Sequence, residues 1–156
     1  MTNLVSYLNL SVKDIDQEKL GSVTLQAFGS GAGLLGLPGD FTPPSRFVRA
    51  AIYGSSAAPN ATGEDAVLSA FHIFNQFDIP EGSVVNSAMG QPVNEITEWT
   101  AVSDAKNLRW YFRTHGDQSI RMVDLKEAVA AAKGEIGAID MEETKQPIAN
   151  VSAAGQ

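Results

Sequence analysis

Gly36-Leu37-Pro38-Gly39-Asp40-Phe41-Thr42-Pro43-Pro44-Ser45-Arg46-Phe47-Val48-Arg49-Ala50-Ala51 reads as a rigid turn feeding a helix. Pro38 and Gly39 punctuate the chain, and Thr42 or Asp40 is available as the N-cap. Pro43 and Pro44 pre-set helical φ where no amide donor is needed. The pattern predicts a helix from Ser45 to Tyr53, with Gly54 ending it. Arg46 and Arg49 lie three apart and so share one side. Phe47, Ala50 and Ala51 form the expected packing side. Two arginines near a helix N-terminus oppose the macrodipole, at roughly 0.3–1 kcal/mol each when exposed. An anionic partner offsets that cost: an internal carboxylate, a substrate anion or a catalytic thiolate.

Upstream, Thr2 to Leu10 is apolar-rich and predicts a helix with Leu4, Tyr7 and Leu8 on one side. Val12 to Gly21 is polar and reads as a surface connection, and Val23 to Phe28 as extended chain. Gly29 to Gly39 is glycine-rich and reads as loop. Within it, Gly31-Ala32-Gly33-Leu34-Leu35-Gly36 matches G-x-G-x-x-G. A dinucleotide site needs that motif to open a helix, with an acidic residue about twenty positions on. Pro38 and Gly39 break such a helix, and no acidic residue occurs between Asp40 and Glu64. Backbone crowding or simple turn geometry is the preferred reading.

Downstream, Gly54 to Gly63 reads as loop, with Thr62 or Gly63 capping a helix from Glu64 to Phe77. Val67, Leu68, Phe71, Phe74 and Phe77 give that helix its period. His72 lies off the stripe and reads as a surface or hydrogen-bonded histidine. Asp78 to Pro92 reads as loop. Glu95–Ser103, Leu108–His115 and Ser119–Leu125 read as strands of an antiparallel meander, with turns at Asp104–Asn107 and Gly116-Asp117. Its aromatics read as core. Lys126 to Lys133 predicts an Ala-rich helix, and Glu135 to Met141 a final strand.

The 156 residues are 44% hydrophobic, so the chain is not of disordered composition and is long enough for one core. A net charge of −7 argues against a general nucleic-acid or anionic-membrane binder. No apolar run approaches the roughly 20 residues needed to cross a bilayer. No basic and apolar leader of a signal peptide follows Met1. The sequence has no cysteine, which excludes disulfides and thiolate metal sites within it. His72 and His115 are the only histidines and stand far apart, so no metal or cofactor is expected. No G-x-S-x-G elbow occurs. The carboxylate pairs Glu95/Glu98 and Glu142/Glu143 read as solvated faces. Asn9-Leu10-Ser11, Asn60-Ala61-Thr62 and Asn150-Val151-Ser152 are glycosylation sequons by pattern only.

Gly36 to Ala50 resembles the signature of the choloylglycine hydrolase family, the conjugated bile acid hydrolases and penicillin V acylases. Further likeness runs through Asn3-Leu4-Val5-Ser6-Tyr7, Gly31 to Gly36, Phe71-His72-Ile73-Phe74 and Trp110-Tyr111-Phe112-Arg113-Thr114. Gln118-Ser119-Ile120 and Val123-Asp124-Leu125 extend it. The resemblance implies an α+β fold: part of the αββα sandwich of N-terminal-nucleophile hydrolases. It also implies that these residues are the C-terminal half of one such domain. The half with the nucleophilic cysteine, its neighbouring Arg and Asp and the oxyanion-stabilising Asn residues is then absent. The implied reaction is hydrolysis of a linear amide, with Arg46 as the catalytic residue that carries over. Arg49 and Asp40 take no catalytic role: a structural ion pair is expected for Arg49, and a cap or turn role for Asp40. The implied partners are a small-molecule amide substrate and the missing half, in a homo-oligomer of the bacterial cytoplasm or periplasm. Alternative expectations are a non-catalytic binding or assembly module, or a subunit completed in trans by a cysteine-bearing chain.

Overall fold

The computed structural model describes residues 2–141 and 145–149. The chain divides into two compact units, Met1–Pro59 and Asn60–Gln156. Both mix helix with antiparallel strands. The Glu142/Glu143 pair and the sequon at 150–152 lie outside the described residues.

The first unit opens with a short helix, α1 (Thr2–Val5). The helix expected to reach Leu10 stops early. Beyond Val5 the amides of Tyr7 and Leu10 close tight turns onto the carbonyls of Leu4 and Tyr7. Leu8 is left 81% exposed, outside any apolar stripe. Next comes a hairpin, β1 (Gln17–Leu20) with β2 (Val23–Gln26), registered through Leu20↔Val23. The sequence pattern had placed β1 inside a surface connection. Gln17-Glu18-Lys19 shows no apolar alternation, because every position of this ribbon is exposed. The turn decides the pairing: Gly21 takes φ +62°, which a two-residue hairpin loop favours.

The glycine-rich segment folds into one 3₁₀ turn, Ala32–Leu34, rather than a nucleotide-binding helix. Its glycines serve close backbone approach. The amide of Ser11 donates to the carbonyl of Gly33 at 2.8 Å. A Cβ on Gly33 would lie 2.4 Å from the carbonyl oxygen of Ser11 and 2.5 Å from that of Lys13. Asp14 ties the segment from the other side, accepting from the amides of Gly31 and Ala32 at 3.0 Å each.

Helix α2 runs from Pro43 to Ser56, with Thr42 at the N-cap position. It continues through Gly54, which the sequence pattern had taken as its end. One interior glycine costs only about 1 kcal/mol against alanine, less than a well-formed helix loses by stopping. Pro59 sets the stop, because a proline forces the residue before it out of helical conformation. The buried side differs from the expected one. Ser45, Val48 and Arg49 face inward, whereas Phe47 is 48% exposed and Ala50 is exposed. Hydrophobicity pointed to Phe47, but the buried arc is set by the turn that Ser45 and Arg49 hold.

The second unit is organised on α3 (Gly63–Phe74), continued by a 3₁₀ turn at Asn75–Phe77. Thr62 caps it, its hydroxyl accepting from the amide of Asp65 at 3.1 Å. A hairpin of β3 (Val85–Ala88) and β4 (Gln91–Asn94) follows, where a loop was expected. Met89 and Gly90 turn it at φ +51° and +80°, both left-handed. Methionine is an uncommon choice there, and Pro92 inside β4 read as a breaker. In a two-stranded ribbon, proline can face an unpaired edge.

The meander forms as the pattern indicates: β5 (Trp99–Asp104), β6 (Arg109–Thr114) and β7 (Arg121–Asp124), in that order. Its first strand starts at Trp99, four residues later than expected. Alternation along β6 sends Tyr111 to one face and Trp110 and Phe112 to the other. On the first face Tyr111 joins Val67 and Phe71 in the core, with Val102 packed against them. On the second, Trp110 and Phe112 stack with ring centroids 4.8 Å apart, and the Arg121 guanidinium lies over Phe112. Helix α4 (Leu125–Ala132) follows directly, capped by the Asp124 carboxylate on the amides of Lys126 and Glu127. Lys133 and Gly134 end it in the left-handed region. Residues 135–141 form no strand.

Candidate functional site at the entry of the second helix

The site lies wholly within the first unit, at the N-terminal turn of α2. Pro43 and Pro44 occupy the first two helical positions and need no acceptor. Arg46 makes the first helical bond, its amide donating to the carbonyl of Thr42 at 3.0 Å. Prolines leave that turn with few main-chain ties, so side chains fix it.

Asp40 supplies one set of ties. Its carboxylate accepts from the Thr42 amide at 2.9 Å, the Thr42 hydroxyl at 2.5 Å and the Ser45 hydroxyl at 2.6 Å. Asp40 therefore braces the entry turn through the Thr42 amide and the two hydroxyls, and no side chain caps the helix. The Ser45 hydroxyl, then the Thr42 hydroxyl and amide, hold the Asp40 carboxyl down to about 2. Hydrogen bonding to the charged form is the cause.

Arg49 supplies the other ties, from the buried side. It is 4% exposed. Its Nη1 donates to the carbonyl of Pro38 at 2.7 Å and to that of Asp40 at 2.8 Å. An ion pair was expected for Arg49; these two hydrogen bonds run to main-chain carbonyls instead. A buried guanidinium is tolerated only when hydrogen-bonded.

Arg46 is the contrast. It is partly exposed, and among the described residues its guanidinium makes no hydrogen bond or ion pair. The two arginines that share a side in sequence thus divide: one is built into the fold and one is presented from it. The Asp40–Thr42 contact carries a sequence signal, since an aspartate bonding the amide two residues on is an Asx turn. The inward course of Arg49 has no such signal.

The other candidate residues lie elsewhere. His72 is exposed in the last turn of α3. Glu95 accepts from the Asn86 amide across the β3–β4 hairpin at 2.5 Å. In the sequon at 60–62, Asn60 accepts from Ser69 and Thr62 caps α3, so both serve the fold. Among the described residues no group of three His, Cys, Asp or Glu is placed to hold a metal. No helix among them is long and apolar enough to cross a membrane.

Residues 1–138 match the family model described as linear amide C-N hydrolases, choloylglycine hydrolase family. A bile salt hydrolase/transferase of Clostridium perfringens is 31% identical over 127 residues, 81% of this chain and 38% of that protein. The crystal structure of a variant of the conjugated bile acid hydrolase from Clostridium perfringens superposes with a TM-score of 0.69 at 31% identity, over 81% of this chain and 38% of that one. Penicillin V acylase from Agrobacterium tumefaciens gives a TM-score of 0.51 at 25% identity, over 62% and 29%. The chain thus spans less than half the length of the relatives it matches. On the family match and these relatives together, the chain belongs to the linear amide C-N hydrolases of the choloylglycine hydrolase family.

Proposed function

We propose that this chain supplies the Arg46 wall of an active site that hydrolyses linear amides with a cysteine nucleophile. That cysteine lies outside these 156 residues. In this reading the two units belong to an αββα sandwich, and the described residues are its C-terminal half. The cysteine is the first residue of the mature enzyme. Its thiolate attacks the amide carbonyl, its own α-amine takes the proton, and the unperturbed pKa of that amine, near 8, suits the task. Asn side chains and backbone amides outside this chain hold the oxyanion. Arg46 stands beside the thiol and favours thiolate, as a nearby cation does. The thiolate in turn offsets the conflict between Arg46 and the α2 dipole.

The observation that carries the reading is the division of labour between Arg46 and Arg49. A guanidinium at a helix N-terminus, partly exposed and with no partner among the described residues, is set for an anion from elsewhere. The relatives' names, bile salt hydrolase and penicillin V acylase, support an amide substrate.

The test is Arg46→Ala in the full-length protein. We expect a loss on the order of 10²-fold in kcat/KM, about 2.7 kcal/mol, with unfolding unchanged. Arg46→Lys should recover little, because the planar fork is lost. A variant that unfolds would make Arg46 a structural residue. Wild-type activity in Arg46→Ala would favour a non-catalytic assembly role for this part of the fold.

A further inference from the structure

We propose that Arg49 is a positioning residue: acting through the carbonyls of Pro38 and Asp40, it sets where α2 presents Arg46, and so sets the ionisation of the nucleophilic cysteine. The proposal rests on the reading of Arg46 given above. Its physical basis is the way the entry turn is built.

A helix whose first two residues are prolines has little main-chain anchorage at its start. Its first helical bond is that of Arg46 itself. The direction of the Arg46 side chain therefore depends on what holds residues 38–45. Two arms hold them. Arg49 reaches back from the next helical turn and fixes Pro38 and Asp40 by their main chain. Fixing Asp40 aims its carboxylate at Thr42 and Ser45. Each arm ends on the element the other begins from, so cutting either loosens both. The burial of Arg49 makes this arm stiff, since a 4%-exposed guanidinium has little room to move.

The bonds of Arg49 to the carbonyls of Pro38 and Asp40 both issue from one nitrogen, Nη1. Lysine carries three donors on one nitrogen and can make two such bonds. Arg49→Lys should therefore act as a partial rescue, unlike Arg46→Lys. Methionine keeps the stem and loses both bonds.

The experiment uses the full-length protein with its cysteine, and iodoacetamide as the probe. The rate of cysteine alkylation is followed against pH, which reports the thiolate fraction directly. Arg46→Met should raise the midpoint by about one pH unit or more. Arg49→Met should also raise it, Arg49→Lys should return it toward wild type, and Arg49→Met should add nothing when Arg46 is already methionine. That last result separates positioning from a direct action of the Arg49 charge, which would add in either background. If Arg49→Met fails to fold, Ser45→Ala cuts the other arm with a small change of volume and should shift the midpoint the same way. A midpoint that moves with Arg46→Met but stays put with Arg49→Met, or with Ser45→Ala in its place, overturns the proposal and leaves Arg46 standing. A midpoint indifferent to Arg46→Met ends both.

Discussion

Asp40 shows how an exposed carboxylate acquires a structural duty. Its pKa stands at about 2 because three donors bind its charged form, led by the Ser45 hydroxyl. A carboxyl lowered in the fold from the usual 3.8 stabilises that fold above the usual value. The contribution is complete above that value and is lost as pH falls through about 2. We expect the stability difference between wild type and Asp40→Asn, read by urea unfolding, to be flat above about pH 5 and to close toward pH 2. Hydrogen bonds rather than distant charges cause the shift, so about 0.5 M salt should leave that profile in place. A difference that widens on acidification contradicts the assignment. At this scale the sequence spoke clearly for Asp40, whose type and spacing match a helix entry. For Arg49 it gave a structural ion pair and missed the main-chain carbonyls of Pro38 and Asp40, because nothing in a residue's identity tells whether a guanidinium turns inward to carbonyls or outward to solvent.

At the scale of elements, two glycines with opposite duties make a paired test. Gly33 sits where a Cβ would strike the Ser11 and Lys13 carbonyl oxygens, both main-chain atoms. Gly33→Ala should cost about 1–3 kcal/mol, as forced overpacking does. Gly54 lies inside α2 with nothing within 4 Å of an added Cβ. Gly54→Ala should stabilise by up to about 1 kcal/mol, through helix propensity and a less free unfolded chain. Chemical denaturation of both variants reads the signs, and a destabilised Gly54→Ala would mean that this face of α2 is covered in the full-length protein. Elements with strong periodicity or sharp punctuation were legible: α2, α3, the β5–β6–β7 meander and α4. The two hairpins were not. Their positions are exposed throughout, so no burial writes an alternating pattern into β1–β2 or β3–β4. Pairing there rests on turn geometry, and Met89 is not a residue that announces a left-handed turn.

For the whole molecule, the uncovered apolar surface is the main fact. Phe28, Leu35, Phe47, Trp99, Met122 and Val129 all stand more than two-fifths exposed. The edges of both ribbons are unpaired among the described strands. Such surface favours association in water. The 156 residues expressed alone should therefore give broad, poorly dispersed amide spectra and hydrolyse neither conjugated bile salts nor penicillin V. Sharp, dispersed resonances from a monomer would contradict the half-domain reading. Substrate choice belongs to this scale too. In the proposed enzyme the glycine-rich segment offers Ala32, Leu34 and Leu35 as one wall, and no lysine or arginine occurs between Lys19 and Arg46. Such a wall selects by hydrophobic burial, at roughly 25 cal/mol per Å². Full-length enzyme should discriminate more between acyl groups than between glycine and taurine leaving groups, compared as ratios of kcat/KM. The reverse order would sink this assignment.

The entry turn of α2 also bears on how quickly its part of the chain can organise. The Arg49–Pro38 tie within it spans 11 residues, whereas the Arg113–Asn75 bond of the second unit spans 38. Closing the longer loop costs about 1 kcal/mol more in chain entropy. A loop of the shorter kind closes in roughly 10–100 ns. The ties at the entry of α2 therefore close over shorter loops, and sooner, than the one that joins Arg113 to Asn75.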